Sequence, residues 1–402
     1  MKVLIAPWGN PAGWKETNYV FNNKEIKSSS SLKILQDTIS PEETIILASD
    51  TLAQEGICYE EIKRNAKEKV EKYAKEFGVE KFKTIILPGI GHFQDKNTKK
   101  ETHFYGNAQD YYYSLIYKLI QIFLKNKERN IEVHLDITHG VNYMPVLTYR
   151  ALVELLGNIS TLFDVKLCVY NTDPAQPFNL LEKTEINIIE DTPIMPIPFR
   201  GKASKNELID ISNLDKSQKE KINRRLTSFM DKSITYNTIS AFLGSIHNGL
   251  PLGIYTFFPD IYKLSAYIEK VYRVFEENIE INNETKKLVV KRKVSLKENF
   301  KVFNFAFLSS NLILQILNLE SIQKEITLND LKILNENLFK FDKRLSVIID
   351  KELNDLEKHL YNKNDFCWQS LYLILNGKNH IEIDERNFLA HAGFEKNAVE
   401  VK

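Results

Sequence analysis

The chain has 402 residues, 43% hydrophobic and 27% charged, with 54 Lys and Arg against 53 Asp and Glu, so its formal net charge is +1. That length favours two domains over one core, and near neutrality excludes a globally basic nucleic-acid binder, leaving only local clusters such as Lys291, Arg292 and Lys293, read here as solvated faces. No stretch approaches the roughly 20 apolar residues that span a bilayer, and the opening MKVLIAPWGN lacks the long apolar region and cleavage site of a secretory signal.

The first half alternates β-rich runs with amphipathic stretches. Lys2 to Pro7, Thr44 to Ser49, Thr84 to Leu87, Ile131 to Leu135 and Val165 to Tyr170 read as strands because they are apolar and rich in Ile and Val. Helices are expected over Ile62 to Phe77, which Gly78 would end, over Tyr111 to Leu124, and over Met144 to Leu156. Repeated strand-helix-strand units imply a mostly parallel, Rossmann-like α/β sheet covered on both faces.

In such a sheet, ligands bind at the carboxyl ends of the strands. Those ends carry Trp8-Gly9-Asn10-Pro11-Ala12-Gly13-Trp14, then Ser49-Asp50-Thr51, then Pro88-Gly89-Ile90-Gly91-His92-Phe93, and finally Asp136-Ile137-Thr138-His139-Gly140-Val141-Asn142. The last is the most informative: a hydroxyl, an imidazole and free amides meet before a helix, a set suited to an anionic nucleotide. The same residues equally suit a plain helix start, with Asp136 or Thr138 capping and Gly140 relieving a turn. GIGH lacks the full GxGxxG pattern, which disfavours a classical dinucleotide site. His92 and His103 read as loop residues.

Near Asp191 the texture changes, with Pro193, Pro196 and Pro198 close together and a polar stretch after them. We place the seam there, giving an α/β domain over 1–192, a connector over 193–230 and an all-α domain over 231–402; Ser204 to Ser228 carries no motif we can place. Ile261, Leu264, Ile268, Val271 and Phe275 follow helical spacing, with Pro259 suited to the first turn. Thr327 and Asp330 form a capping-box pattern opening a helix that carries Leu331, Leu334, Leu338, Phe341 and Leu345. Glu280 to Val294 is the exception, a small β-hairpin. Cys58, Cys168 and Cys367 have no paired spacing, which argues against disulfides and a cysteine zinc site and fits a reducing cytoplasm.

The last forty residues contain Asp384-Glu385-Arg386-Asn387-Phe388-Leu389-Ala390-His391-Ala392-Gly393. Asp384 as N-cap and Gly393 as terminator would make a short helix bearing Arg386 and His391. Five residues at about 100° each set the two about 140° apart around the axis, so they share no face. A symmetric dimer bringing two such helices together would line one pocket with two arginines and two histidines. Arginine offers phosphate a fork of donors and histidine moves protons near neutrality, a set sufficient for RNA scission without metal. Equally compatible with the residues alone are a surface arginine and a satisfied histidine. His380 and Glu382 lie close to His391, but no i, i+4 histidine pair or carboxylate cluster marks a metal site.

Together these features resemble the CARF–HEPN ribonucleases of type III CRISPR systems, over nearly the whole chain. Asp136-Ile137-Thr138-His139-Gly140 at the fourth strand resembles that family's sensor (CARF) motif, and Arg386-Asn387-Phe388-Leu389-Ala390-His391 its HEPN Arg-polar-x-x-x-His signature. The resemblance implies a CARF-like α/β half and a HEPN-like all-α half. It implies a metal-free, cofactor-free endoribonuclease cutting single-stranded RNA to cyclic phosphate ends. Its activator would be cyclic oligoadenylate, cyclic tetra-adenylate foremost, bound across a homodimer, with higher assembly left open. By that likeness Arg386 and His391 are catalytic and Asn387 supporting; Thr138, His139, Gly140, Asn142, Gly9, Asn10, Asp50 and Thr51 contact the activator. The alternatives are a non-catalytic nucleotide-sensing regulator whose helical half binds a partner or nucleic acid, and a small-nucleotide hydrolase working at the Asp136 to Asn142 loop.

Overall fold

The computed structural model describes residues 1–402 apart from 96–97, 127, 174–182, 205–207, 229, 323–324, 361–366 and 378–384. The chain opens with β1 (Lys2–Trp8), β2 (Thr17–Phe21), β3 (Lys24–Ser28), α1 (Leu32–Ile39), β4 (Glu43–Ser49), α2 (Tyr59–Glu76) and β5 (Phe82–Leu87). β6 (Gly91–Gln94), β7 (Glu101–Tyr105), α3 (Ala108–Phe123), β8 (Asn130–Asp136), α4 (Tyr143–Ile159), β9 (Asp164–Thr172) and β10 (Lys183–Pro193) follow. All five expected strands are present. They stand side by side as β9-β8-β1-β4-β5, every neighbouring pair parallel, within the eight-stranded order β3-β2-β10-β9-β8-β1-β4-β5.

The alternation of the pleat divides the core. Val3 and Ile5 join Ile45, Leu47, Tyr111, Leu115 and Leu152 on the face covered by α3 and α4. Leu4, Ala6 and Trp8 join Ile46, Ala48, Ile62 and Val70 on the face covered by α1 and α2. Being buried on both sides is what makes these strands read as unbroken apolar runs. The antiparallel additions, β10 on β9 and the β2–β3 hairpin beyond it, were not expected. β10 ends at Pro193, and the proline run beyond it is docked: Ile197 N–H donates to the Gly157 carbonyl at 2.8 Å, and Phe199 stacks on Phe305 with centroids 4.0 Å apart.

The second half contains β11 (Ile209–Asp210), α5 (Lys216–Thr227), α6 (Tyr236–Asn248), α7 (Pro251–Thr256), α8 (Ile261–Glu277), β12 (Ile279–Asn283), β13 (Lys287–Arg292), β14 (Ser295–Leu296) and α9 (Glu298–Leu317). It ends with α10 (Leu328–Leu338), α11 (Lys343–Leu360), β15 (Gln369–Ser370), α12 (Leu371–Asn376), α13 (Glu385–Ala390) and β16 (Glu400–Val401). It is helical but not all-α. The expected hairpin, β12–β13, joins the first half: β13 pairs in parallel with β7 in a separate sheet ordered β12-β13-β7-β6. His92 and His103 are therefore strand residues, opposite each other and stacked at 4.4 Å, not loop residues.

Three further expectations change. The helix expected to carry Leu331 through Leu345 starts on its capping box, Thr327 and Asp330, but breaks in a 3₁₀ turn at Phe339–Phe341, so Leu345 belongs to α11. Pro259 precedes the α8 N-cap, Asp260, whose side chain accepts from Tyr262 and Lys263 N–H. Finally, α9 has the length and apolarity to cross a membrane, with a mean hydropathy of 1.4, contrary to the expectation that no segment does. It is instead a core helix, packed against α3, α4, α6, α8 and α10. Its Lys301 pairs with Glu154 of α4 at 3.0 Å, and the Asn304 side-chain N–H donates back to the Phe300 carbonyl, so these charged and amide donors find partners within the protein.

Candidate functional site

A cavity of about 580 Å³ opens at the carboxyl ends of β1, β4 and β5, the position the fold favours for ligands. Trp8, Gly9, Asn10, Ser49, Thr51, Ile90, Phe93, Asn142, Tyr143 and Met144 line it, with Lys69 and Asp95 at its edge. Burial pulls the Lys69 ammonium below its ordinary pKa, against the pull of Asp95. Asn142 caps α4 without a side-chain cap bond and holds a strained backbone, φ 49° and ψ −111°. The α4 N-terminus thus brings positive dipole and backbone donors to the cavity wall. Aromatic faces, amides, several hydroxyls and the Lys69 ammonium make a lining suited to a base and a phosphate.

Of the eight expected ligand residues, the cavity gathers Gly9, Asn10, Thr51 and Asn142. The other four stand behind it. His139 stacks on Trp14 at 4.0 Å and accepts the Ser31 N–H on Nε2 at 3.3 Å, and burial pushes its pKa down against the pull of Asp136. The Thr138 hydroxyl is buried with no hydrogen-bond partner among the described residues, while Thr138 N–H donates to Asp136 at 3.0 Å. A Cβ on Gly140 would stand 2.2 Å from Pro145 Cγ, so this glycine makes room for α4. Asp50 is fully buried. It accepts from Tyr59 Oη at 2.9 Å and Gly89 N–H at 2.8 Å and pairs with Arg292. The basic cluster is likewise not uniformly solvated: Arg292 is 4% exposed, whereas Lys291 is exposed and Lys293 pairs with Glu280 at 2.6 Å.

At the other end of the chain, Arg386 and Asn387 are exposed on α13, and His391 follows one turn later, just past the helix end, its N–H donating to the Asn387 carbonyl at 3.0 Å. The expected N-cap, Asp384, and the neighbouring His380 and Glu382 lie outside the described residues. Gly393 ends the helix, donating to the Phe388 carbonyl at 2.9 Å. Ala392 and Phe394 beyond it are buried, which anchors the turn to the core.

Sequence reading missed one residue here. Glu352 of α11 takes a hydrogen bond from His391 Nδ1 at 2.9 Å; the His391 side chain is 50% exposed and that of Glu352 16%. A carboxylate only accepts, so Nδ1 carries the hydrogen, and in the neutral ring Nε2 keeps its lone pair. Glu352 lies on α11 beside the buried Ile349, Leu353 and Leu356, and no local pattern distinguishes it from any half-exposed helical glutamate.

The model of the CARF domain of the CRISPR system endoribonuclease Csx1 matches residues 3–174, and the model of the HEPN domain of the same endoribonuclease matches residues 342–402. The second match begins where α11 begins, so it contains both Glu352 and His391. A curated relative, the CRISPR system endoribonuclease Csx1 of Methanocaldococcus jannaschii, is 36% identical over 416 residues, covering 100% of this chain and 86% of that protein.

Proposed function

Because the chain belongs to the Csx1 family of CRISPR system endoribonucleases, we propose that it cuts single-stranded RNA without metal, under allosteric control by cyclic oligoadenylate, cyclic tetra-adenylate foremost, as a cytoplasmic homodimer in type III CRISPR antiviral defence. The observation that carries the catalytic part is His391, half exposed, braced through Nδ1 by Glu352 and one turn beyond Arg386. In this reading His391 Nε2 takes the proton of a ribose 2′-hydroxyl. The freed oxygen attacks phosphorus, the bond to the 5′-oxygen breaks, and a 2′,3′-cyclic phosphate remains. Arg386 steadies the charge that builds on the phosphate, with Asn387 beside it, and the same helix of a second copy supplies the proton for the leaving oxygen.

The cavity at the carboxyl ends of β1, β4 and β5 supports the regulatory part. Phe93 and Tyr143 offer faces for adenine, Asn10, Thr51 and Asn142 offer hydrogen bonds, and the open α4 N-terminus and Lys69 favour phosphate. The test is cleavage of labelled single-stranded RNA with cyclic tetra-adenylate and EDTA present. Activator-dependent cutting that disappears in His391→Ala is expected. No cutting with any ring size, or cutting that persists in His391→Ala, overturns the proposal.

A further inference from the structure

The pleat of β8, β9 and β10 collects polar side chains on one face, opposite the apolar face of Val133, Leu135, Leu167 and Val169. Register sets His134 across from Cys168 and Cys168 across from Asp191. A carboxylate oxygen of Glu132, a ring nitrogen of His134 and Cys168 Sγ all lie within 4.8 Å of one another. Cys168 Sγ is also 3.1 Å from Asp191 Oδ1.

His134 is the informative member. It is 4% exposed, and its Nδ1 is 2.8 Å from the Tyr170 hydroxyl. Its Nε2 stands 3.2 Å from Glu132 Oε1 yet makes no hydrogen bond among the described residues. A buried polar atom left this way costs about 1–3 kcal/mol unless something satisfies it. A histidine whose Nδ1 is tied and whose Nε2 faces a carboxylate, with a thiol within 4.8 Å of the ring nitrogen in the cluster, has the arrangement of a metal ligand with its supporting hydrogen bond.

We propose that Glu132, His134 and Cys168 hold a divalent cation of the zinc class, with Asp191, which bonds Cys168 Sγ but stands outside that mutually close set, turning in as the fourth donor. One sulfur, one nitrogen and two oxygens select a borderline-soft ion over magnesium or calcium. Three of the donors are anionic when bound. Lys166, 2.6 Å from Asp191, and Lys2, 3.6 Å from Glu132 Oε2, offset the excess negative charge. Binding exchanges the thiol proton of Cys168, which leaves to solvent, for a sulfur–metal bond, and no electron is transferred. The ion would pin antiparallel β10 to β9 and β8 immediately before the chain crosses into its helical half. Its donors come from β8, β9 and β10 and not from α13, and it takes no part in scission.

The experiment is a cobalt(II) chloride titration of the full-length chain after chelator treatment and dialysis. We expect thiolate-to-cobalt charge-transfer absorption in the near ultraviolet that saturates at one ion per chain and is displaced by zinc. Cys168→Ser should abolish it, His134→Gln should weaken binding at least about tenfold, and the exposed-thiol variant Cys58→Ser/Cys367→Ser should retain it. Absence of the band in the unaltered chain, its survival in Cys168→Ser, or unchanged affinity in His134→Gln overturns the proposal. Circular dichroism of each variant shows that loss of the band is not loss of the fold.

Discussion

Asp50 and Arg292 are 242 residues apart in the sequence and pair where their side chains are 0% and 1% exposed. Arg292 also donates to the Gly89 carbonyl at 2.7 Å, so one guanidinium from β13 ties together the loops that follow β4 and β5. Those loops carry Ser49, Thr51 and Ile90 on the cavity wall. The second half of the chain thereby holds up the floor of a site built by the first.

Removing one partner of this pair strands the other. Arg292→Met should cost about 3–5 kcal/mol, because Asp50 keeps a buried charge with only Tyr59 and Gly89 to hold it. Thermal melting should record a clearly lower midpoint; an unchanged midpoint would mean the pair contributes nothing to stability.

Arg386→Ala and His391→Ala should each lower kcat by about 10²–10⁴. Both side chains are exposed, so melting should stay within about 0.5 kcal/mol of the parent. Loss of activity accompanied by loss of fold would indicate a structural role instead.

Glu352→Gln addresses the brace on His391. As a positioning residue, Glu352 should affect kcat less than His391 does and leave KM for RNA unchanged, because it orients the imidazole without touching substrate. A change in KM alone would refute this assignment.

Asn142→Gly separates stability from ligand binding. Glycine accepts φ 49°, ψ −111° without strain, so the variant should be more stable by about 1 kcal/mol. It also loses the side-chain amide on the cavity wall, so calorimetry should find weaker binding of cyclic tetra-adenylate. Unaltered affinity would remove Asn142 from the ligand set.

Asp110 makes stability depend on pH. Burial pushes its carboxyl up to about 6 from the ordinary 3.8, against the pull of Leu296 N–H, which donates to it at 2.7 Å. The folded chain therefore holds this proton more tightly than the unfolded chain. The resulting stability is fully present below about pH 3.8 and is lost as pH rises through about 6. Asp110→Asn should gain relative to the parent across that window in denaturant melts; a difference independent of pH would contradict the assignment.

What was legible in the sequence was local. β1, β4, β5, β8 and β9 announced themselves as apolar runs because strands covered on both faces have no polar side to show. The Thr327 and Asp330 capping box needed only a three-residue spacing, and Arg386 with His391 needed only five. The β2–β3 hairpin was missed because Lys24, Glu25 and Lys27 obscure its alternation at the sheet edge, where charge is common.

The sequence by itself determined the five central strands, the longer helices, and where the loops that line the cavity and the terminal Arg-His pair fall, since period and capping act within one turn or one strand. Only the tertiary structure decided that Arg292 is buried on Asp50, that His139 packs behind the cavity wall, that Glu352 braces His391, and that Glu132, His134 and Cys168 share one face. Each of these depends on segments far apart along the chain being brought together by the burial of the two cores. No window of sequence carries the register in which that happens, because the hydrophobic effect that drives it is proportional to area and indifferent to which polar groups it makes neighbours.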